Sequence, residues 1–128
     1  MAWNAKYDQG LKLVELVHTG VATAKDLQEA TSKCIALGQE NETNRFLVDA
    51  EELVISAQLA DIYNLPDKQY VNEQVDRFSR IAVVRPRAPH AQHAAQFYET
   101  ACVNRGWAAK IVSTRQEAID WLGENTSS

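Results

Sequence analysis

Three carboxylates stand together at the end of an apolar segment. Asp49 closes the strand-like core of residues 45–50, and Glu51 and Glu52 follow it directly. In open α/β sheets, ligands and partners dock at the carboxyl ends of the strands. This cluster would therefore bind Mg²⁺ or face a basic partner, unless it is only a solvated loop edge. Since no second group of spaced carboxylates accompanies it, we expect no metal site.

A basic group follows a second apolar segment. Arg85, Arg87 and His90 come after residues 80–84 and precede a helical pattern. Two guanidinium groups near a helix N-terminus are suited to a phosphate or a carboxylate. If the two strands are neighbours, this loop lies near the acidic one. The alternative is an exposed loop that prolines stiffen. His90 and the histidine three residues later lack a third ligand, so we expect no metal here either.

The middle of the chain offers a serine and two tyrosines. Ser56 precedes a helical pattern, so its side chain would cap the helix N-terminus or accept a phosphate there. We favour the cap, because the capping preference explains a serine without a kinase. Tyr63 and Tyr70 lie on the apolar sides of two successive helical segments. Such a face belongs in the core by its spacing alone, but an exposed one would bind a partner or a lipid.

Alternating strand and helix patterns must position these groups. Thr23 caps a helix with Asp26 at its third position, as in a capping box. Gly38 and Gly106 end the helices that precede them, and Thr114 caps a short final helix. The predicted order is β-β-α-β-α-α-β-α-β-α, with strands at 3–7, 11–18, 45–50, 80–84 and 107–112. This order indicates an α/β fold with a mixed, mostly parallel sheet of four to five strands flanked by helices.

Composition and charge restrict the function classes. The 128 residues form one domain, which we place at 1–122, with a polar tail at 123–128. Thirteen lysines and arginines against seventeen aspartates and glutamates give a net charge of −4, so we expect no nucleic-acid partner. No run reaches the ~18 apolar residues of a membrane span, and no signal-peptide core is present, so we expect a cytoplasmic protein. Cys34 and Cys102 are expected to be reduced.

Several local patterns together resemble the SpoIIAA-like branch of the STAS (anti-sigma-factor antagonist) superfamily. They are the opening hairpin, Thr19-Gly20 before a Thr-capped helix, a strand ending at Asp49, Arg80-Ile81-Ala82-Val83-Val84, and Glu117-Ala118-Ile119-Asp120-Trp121-Leu122. The resemblance covers residues 3–122. It implies a single small sheet flanked by helices and a regulatory or binding role. The branch is also similar in architecture to CRAL-TRIO lipid-binding domains, which implies an apolar pocket as an alternative.

The resemblance also bears on Ser56. In phosphorylation-regulated STAS proteins, an Asp-Ser-Ser-Gly-like segment begins the helix after the central strand. The corresponding residues here are Ile55-Ser56-Ala57-Gln58-Leu59, in which that motif is missing. Ser56 lies near the place that the motif occupies in those proteins, so it is the candidate phosphorylation position.

These observations predict a non-enzymatic module that binds a protein partner. No glycine-rich phosphate loop, dinucleotide motif or serine-nucleophile elbow is present in the sequence, and no cofactor is implied. The expected surface is the loop 49–56 with the two middle helices. The alternative function is a carrier of a small apolar or anionic molecule, in a pocket between those helices and the sheet, with Arg85 or Arg87 binding an anionic head. A homodimer would also cover an exposed helix face.

Overall fold

A computed structural model describes residues 3–56, 69–70 and 78–123 of the chain. Within these residues the elements alternate as the sequence indicates. They are β1 (Trp3–Asp8), β2 (Leu13–His18), β3 (Val21–Ala22), α1 (Ala24–Glu40), β4 (Arg45–Asp49), β5 (Val54–Ile55), β6 (Arg80–Val84), α2 (Pro89–Asn104), β7 (Ala108–Val112) and α3 (Arg115–Leu122). The bodies of the two predicted middle helices, with Tyr63, lie outside the described residues.

The main sheet has five strands in the order β1-β2-β4-β6-β7. Strand β1 is antiparallel to β2, and the other three neighbouring pairs are parallel. The expected hairpin and the mostly parallel sheet are therefore confirmed. A second sheet of two short parallel strands, β3 and β5, was not predicted, because two residues are too few to show a strand period.

Helices cover both faces of the main sheet. Helices α1 and α2 pack on the face that carries Val48 and Val83, and α3 packs on the opposite face against Leu47 and Val84. Neighbouring residues of a strand point to opposite faces, so each inner strand must be apolar on both sides. This explains the unbroken apolar runs in β4 and β6. Strand β2 is also an inner strand, yet it carries Glu15 and His18, both almost fully buried.

The helix ends confirm most of the predicted caps. Thr23 and Asp26 form the capping box, and the Thr114 hydroxyl accepts a hydrogen bond from Glu117 N. Gly106 follows α2 with a φ of 84°, which favours glycine. The prediction that Gly38 ends α1 was wrong, because α1 continues to Glu40. Gly38 is instead buried inside the helix, where a Cβ atom would lie 2.8 Å from the Phe46 ring.

Polar contacts hold α3 at both of its ends. At its start, Arg115 donates two hydrogen bonds to the buried carboxylate of Glu15, at 2.8 and 2.9 Å. Near its end, the Arg80 guanidinium lies 3.9 Å from the ring centroid of Trp121 and donates to its carbonyl oxygen at 2.9 Å. The hydrogen bonds that Arg115 donates to Glu15 raise the pKa of Arg115, so this guanidinium stays charged. The ion pair therefore neutralises the buried carboxylate and positions the helix.

Removing one partner of this pair should be more costly than removing both. Arg115→Met leaves the Glu15 carboxylate buried without its counterion, so we expect the free energy of unfolding to fall by about 3 kcal/mol. The double variant Glu15→Met/Arg115→Met should recover most of that loss, because apolar side chains replace the pair. Urea unfolding of the three proteins measures both effects.

Lys25→Met is the control, since Lys25 forms only an exposed pair with Glu29 at 3.8 Å. It should change stability by less than about 0.5 kcal/mol. A double variant as unstable as Arg115→Met would contradict the assigned role of the ion pair.

Candidate functional site

The two charged loops meet at the carboxyl ends of neighbouring strands. Strands β4 and β6 are paired in register, so their following loops lie side by side. The Arg87 side chain contacts Glu51 Oε2 at 3.0 Å, and Arg87 N donates to the Glu51 carbonyl oxygen at 3.1 Å. Asp49 Oδ1 accepts a hydrogen bond from Glu51 N at 3.2 Å, which shapes the start of the acidic loop. The prediction that the acidic and basic loops lie near each other is therefore confirmed.

The other predicted site residues do not all contact the Glu51–Arg87 pair. Glu52 is exposed in the acidic loop. Ser56 is exposed just after β5, and its backbone N donates to the Ala22 carbonyl oxygen at 2.9 Å. Arg85 is exposed and lines a different, polar groove with Glu99 beside β7. His90 is exposed in the first turn of α2. Anion binding by the basic loop and phosphorylation of Ser56 stay predictions.

An exposed pair of valines lies next to the acidic loop. Val21 of β3 and Val54 of β5 are directly opposite each other in the small sheet and are 56% and 45% exposed. Their strand neighbours point inward, so Ala22 is fully buried and Ile55 packs against the core. We call Val21 and Val54 the valine pair. Sequence reasoning missed it, because only the pairing of two distant, two-residue strands brings these side chains together.

A cavity lies beneath the small sheet, between the main sheet and helices α1 and α2. Its volume is about 90 Å³. The described residues around it are predominantly apolar: Leu16, His18, Leu27, Thr31, Val48, Ala50, Leu53, Ile55, Tyr70, Val83, Ala91, Ala94, Ala95 and Tyr98. A second cavity of about 50 Å³ adjoins it and shares Leu16, Thr31, Val48, Tyr70 and Tyr98. The pocket predicted between the two middle helices and the sheet stays a prediction, because the bodies of those helices lie outside the described residues; this cavity is bounded by α1 and α2.

His18 is the most unusual polar residue of the cavity wall. The side chain is 3% exposed, and burial lowers its pKa to about 4, against a smaller opposing effect of Asp26. Among the residues that the structure describes, none forms a hydrogen bond with its buried Nδ1 atom. The imidazole is therefore neutral at physiological pH and retains a polar atom inside an apolar site. The sequence offered no signal for it beyond a histidine at the end of a strand.

Two tyrosines close another part of the cavity. The hydroxyl groups of Tyr70 and Tyr98 form a hydrogen bond with each other. The Tyr70 ring packs edge-on against Trp107, with ring centroids 5.5 Å apart. Burial raises the pKa of both hydroxyls well above their ordinary value, so both stay protonated. Tyr70 thus lies in the core, where its side chain lines the cavity.

Both cysteines are free and buried, as expected. Burial raises the pKa of Cys34 and of Cys102 to about 12, which keeps each thiol protonated and a poor nucleophile. Within the described ranges, no three His, Cys, Asp or Glu side chains are grouped so that they could hold a metal ion. No helix in the described part of the chain is both long enough and apolar enough to cross a bilayer.

Comparison with known proteins identifies the fold. No model of a protein family matches this chain, and no curated protein matches it. The chain is similar to the crystal structure of an uncharacterized protein of the DUF3478 family with a SpoIIAA-like fold, from Shewanella loihica PV-4. The two are 18% identical, with a TM-score of 0.59, over 94% of this chain and 92% of that one. The chain therefore has a SpoIIAA-like fold, as the sequence resemblance implied.

The state of His18 predicts how stability depends on pH. Between pH 6.5 and about 4 the unfolded chain binds a proton at His18 that the folded protein does not, so stability must fall as the pH is lowered. Over this window we expect His18 to account for a loss of about 3 kcal/mol. Urea titrations at several pH values give the free energy of unfolding as a function of pH. The contribution of His18 is the difference between the slopes of this dependence for the wild type and for His18→Leu.

His90, an exposed histidine, provides the matched control. His90→Leu should keep the full pH dependence of the wild type, because His90 is exposed. If His18→Leu and the wild type lose stability equally between pH 6.5 and 4, the buried neutral imidazole is refuted.

Proposed function

We propose that the protein is a non-enzymatic, STAS-like module that binds a protein partner at the carboxyl end of its sheet. The observation that carries this proposal is the exposed valine pair beside the charged loop. Protein interfaces combine an apolar centre, which excludes water, with a polar rim. The valine pair supplies such a centre, and the loop that precedes Val54 supplies the rim.

The rim also suggests the chemistry of the partner. Of the three carboxylates in this loop, Glu51 pairs with Arg87 and Asp49 interacts with the charge of Arg115, whereas Glu52 is exposed. We therefore expect the partner to present an apolar centre surrounded by basic side chains. The Glu51–Arg87 pair is largely exposed, so its role lies in orientation and specificity more than in affinity.

The size of the cavity favours this function over that of a lipid carrier. Ligand pockets for drug-sized molecules measure about 300–1,000 Å³. The apolar cavity beneath the small sheet measures about 90 Å³, which is too small for a lipid chain with its head group. Arg85 and Arg87, the proposed contacts for an anionic head, are also absent from its lining.

The buried reactive side chains support a role without catalysis. Both thiols and both cavity hydroxyls are held in their protonated forms by burial, as their raised pKa values indicate. A nucleophile or general base needs a pKa near the working pH, with a partner to accept or donate the proton. None of these four groups is therefore prepared for such a step.

A lysine in the valine pair should weaken partner binding. Val54→Lys removes half of the apolar centre and repels a basic rim, so we expect affinity to fall at least tenfold, as for a central contact residue. Partners are captured on immobilised protein from cells that express the chain, identified by mass spectrometry, and then titrated in purified form.

Val103→Lys is the matched control, because Val103 is a valine of similar exposure (57%) on α2. It should bind within twofold of the wild type. A captured protein that binds Val54→Lys as tightly as the wild type contradicts the proposal. A captured mass equal to that of the chain itself, lost with the same substitution, would replace the proposed partner with a second copy.

A further inference from the structure

We propose that the cavity beneath the small sheet binds a compact, neutral, mostly apolar molecule with one hydroxyl group, held by a hydrogen bond to His18. This inference goes beyond the partner surface and depends on a different part of the molecule. The cavity lies on the inner side of β5, lined by Ile55, whereas the valine pair lies on the outer side.

The polar atom left inside the apolar wall points to a hydrogen-bonding ligand. Buried side-chain nitrogen and oxygen atoms nearly always have a hydrogen-bond partner in folded proteins. The His18 side chain is only 3% exposed, and none of the described residues forms a hydrogen bond with its Nδ1 atom. A neutral imidazole has one donor and one acceptor nitrogen, and a hydroxyl group can accept from the first or donate to the second. A hydroxyl therefore satisfies either tautomer of His18.

The volume limits the ligand to a compact molecule. A dry cavity of about 150 Å³ holds benzene in an engineered protein. The two adjoining cavities here measure about 90 and 50 Å³ and share a wall formed in part by Leu16 and Val48. The first of these cavities is partly open at the surface, so we expect it to admit one six-membered ring and to exclude an extended chain.

The charges around the cavity require a neutral ligand. No Lys, Arg, Asp or Glu is among the described residues that line it, so an ion would lose its hydration without a counter-charge. Among the described residues, Asp26 of α1 acts on His18 through its charge, and the other titratable groups in the cavity lining are Tyr70 and Tyr98. The two tyrosine hydroxyls already bond to each other, so the polar side chains that remain for the ligand hydroxyl in the described lining are His18 and Thr31.

Phenol and toluene provide a direct test, because they have nearly the same shape and differ in the hydroxyl group. Each is titrated into the full chain at pH 7, and amide chemical shifts are followed by NMR. We expect saturable binding of phenol with shifts concentrated at the cavity residues, including Ala94 and Val83. Phenol should bind about tenfold more tightly than toluene, as one hydrogen bond to a buried group predicts.

Substitution of His18 should remove the preference for phenol over toluene while the cavity itself remains. In His18→Leu we expect toluene to bind more tightly than phenol, because the phenol hydroxyl is then buried without a partner, whereas His90→Leu should keep the tenfold preference for phenol. If His18→Leu does not fold, Ala94→Val provides a second variant, which fills part of the cavity and should weaken both ligands in parallel.

Equal affinity of the wild type for phenol and toluene would overturn the proposal. Shifts at a surface remote from the cavity, or no saturation up to the solubility of phenol, would overturn it as well. Val54→Lys should bind phenol like the wild type, so failure of the partner proposal and failure of this one are distinguishable.

Discussion

Two polar side chains buried in an inner strand constrain much of this structure. Strand β2 lies between β1 and β4, with helices on both sides, yet Glu15 and His18 point into opposite faces of the sheet. The carboxylate is neutralised by Arg115, and the contact fixes the start of α3 against the sheet. The imidazole loses its charge instead, because burial lowers its pKa. One face therefore carries an ion pair, and the other borders an apolar cavity.

The topology then concentrates the distinctive chemistry at one end of the sheet. Parallel strands β2, β4 and β6 end at the same edge, so His18, the acidic loop and the basic loop all lie there. The small sheet of β3 and β5 covers this edge. Its inner residues join the core around the cavity, and its outer valine pair faces solvent next to the charged loop. The cavity and the proposed docking surface therefore share the small sheet as a common wall.

Local sequence signals predicted the parts of this fold that depend on local physics. The segment 80–84 forms β6 with the predicted bounds, and Thr23 with Asp26 forms the predicted capping box, because burial and capping act over a few residues. The predicted approach of the acidic and basic loops also followed from strand order. Gly38 was misjudged, since glycine serves close packing against Phe46 as well as helix termination.

The parts that could not be predicted depend on distant contacts. Glu15 and Arg115 are separated by 100 positions, and nothing in either neighbourhood indicates the other. The valine pair joins two strands of two residues each, too short for any period to be visible. The burial of His18 depends on two helices that pack over the sheet from different parts of the chain. Sites built in this way become visible only when the fold is known.

Photo-crosslinking from the valine pair tests the central claim most directly. A benzophenone amino acid is placed at position 54 or, as a control of matched exposure, at position 103, and cells expressing the chain are irradiated. The account predicts a discrete cross-linked partner from position 54 and none from position 103. Identical cross-linked products from both positions, or no product from position 54, would show that the carboxyl end of the sheet is not the docking surface.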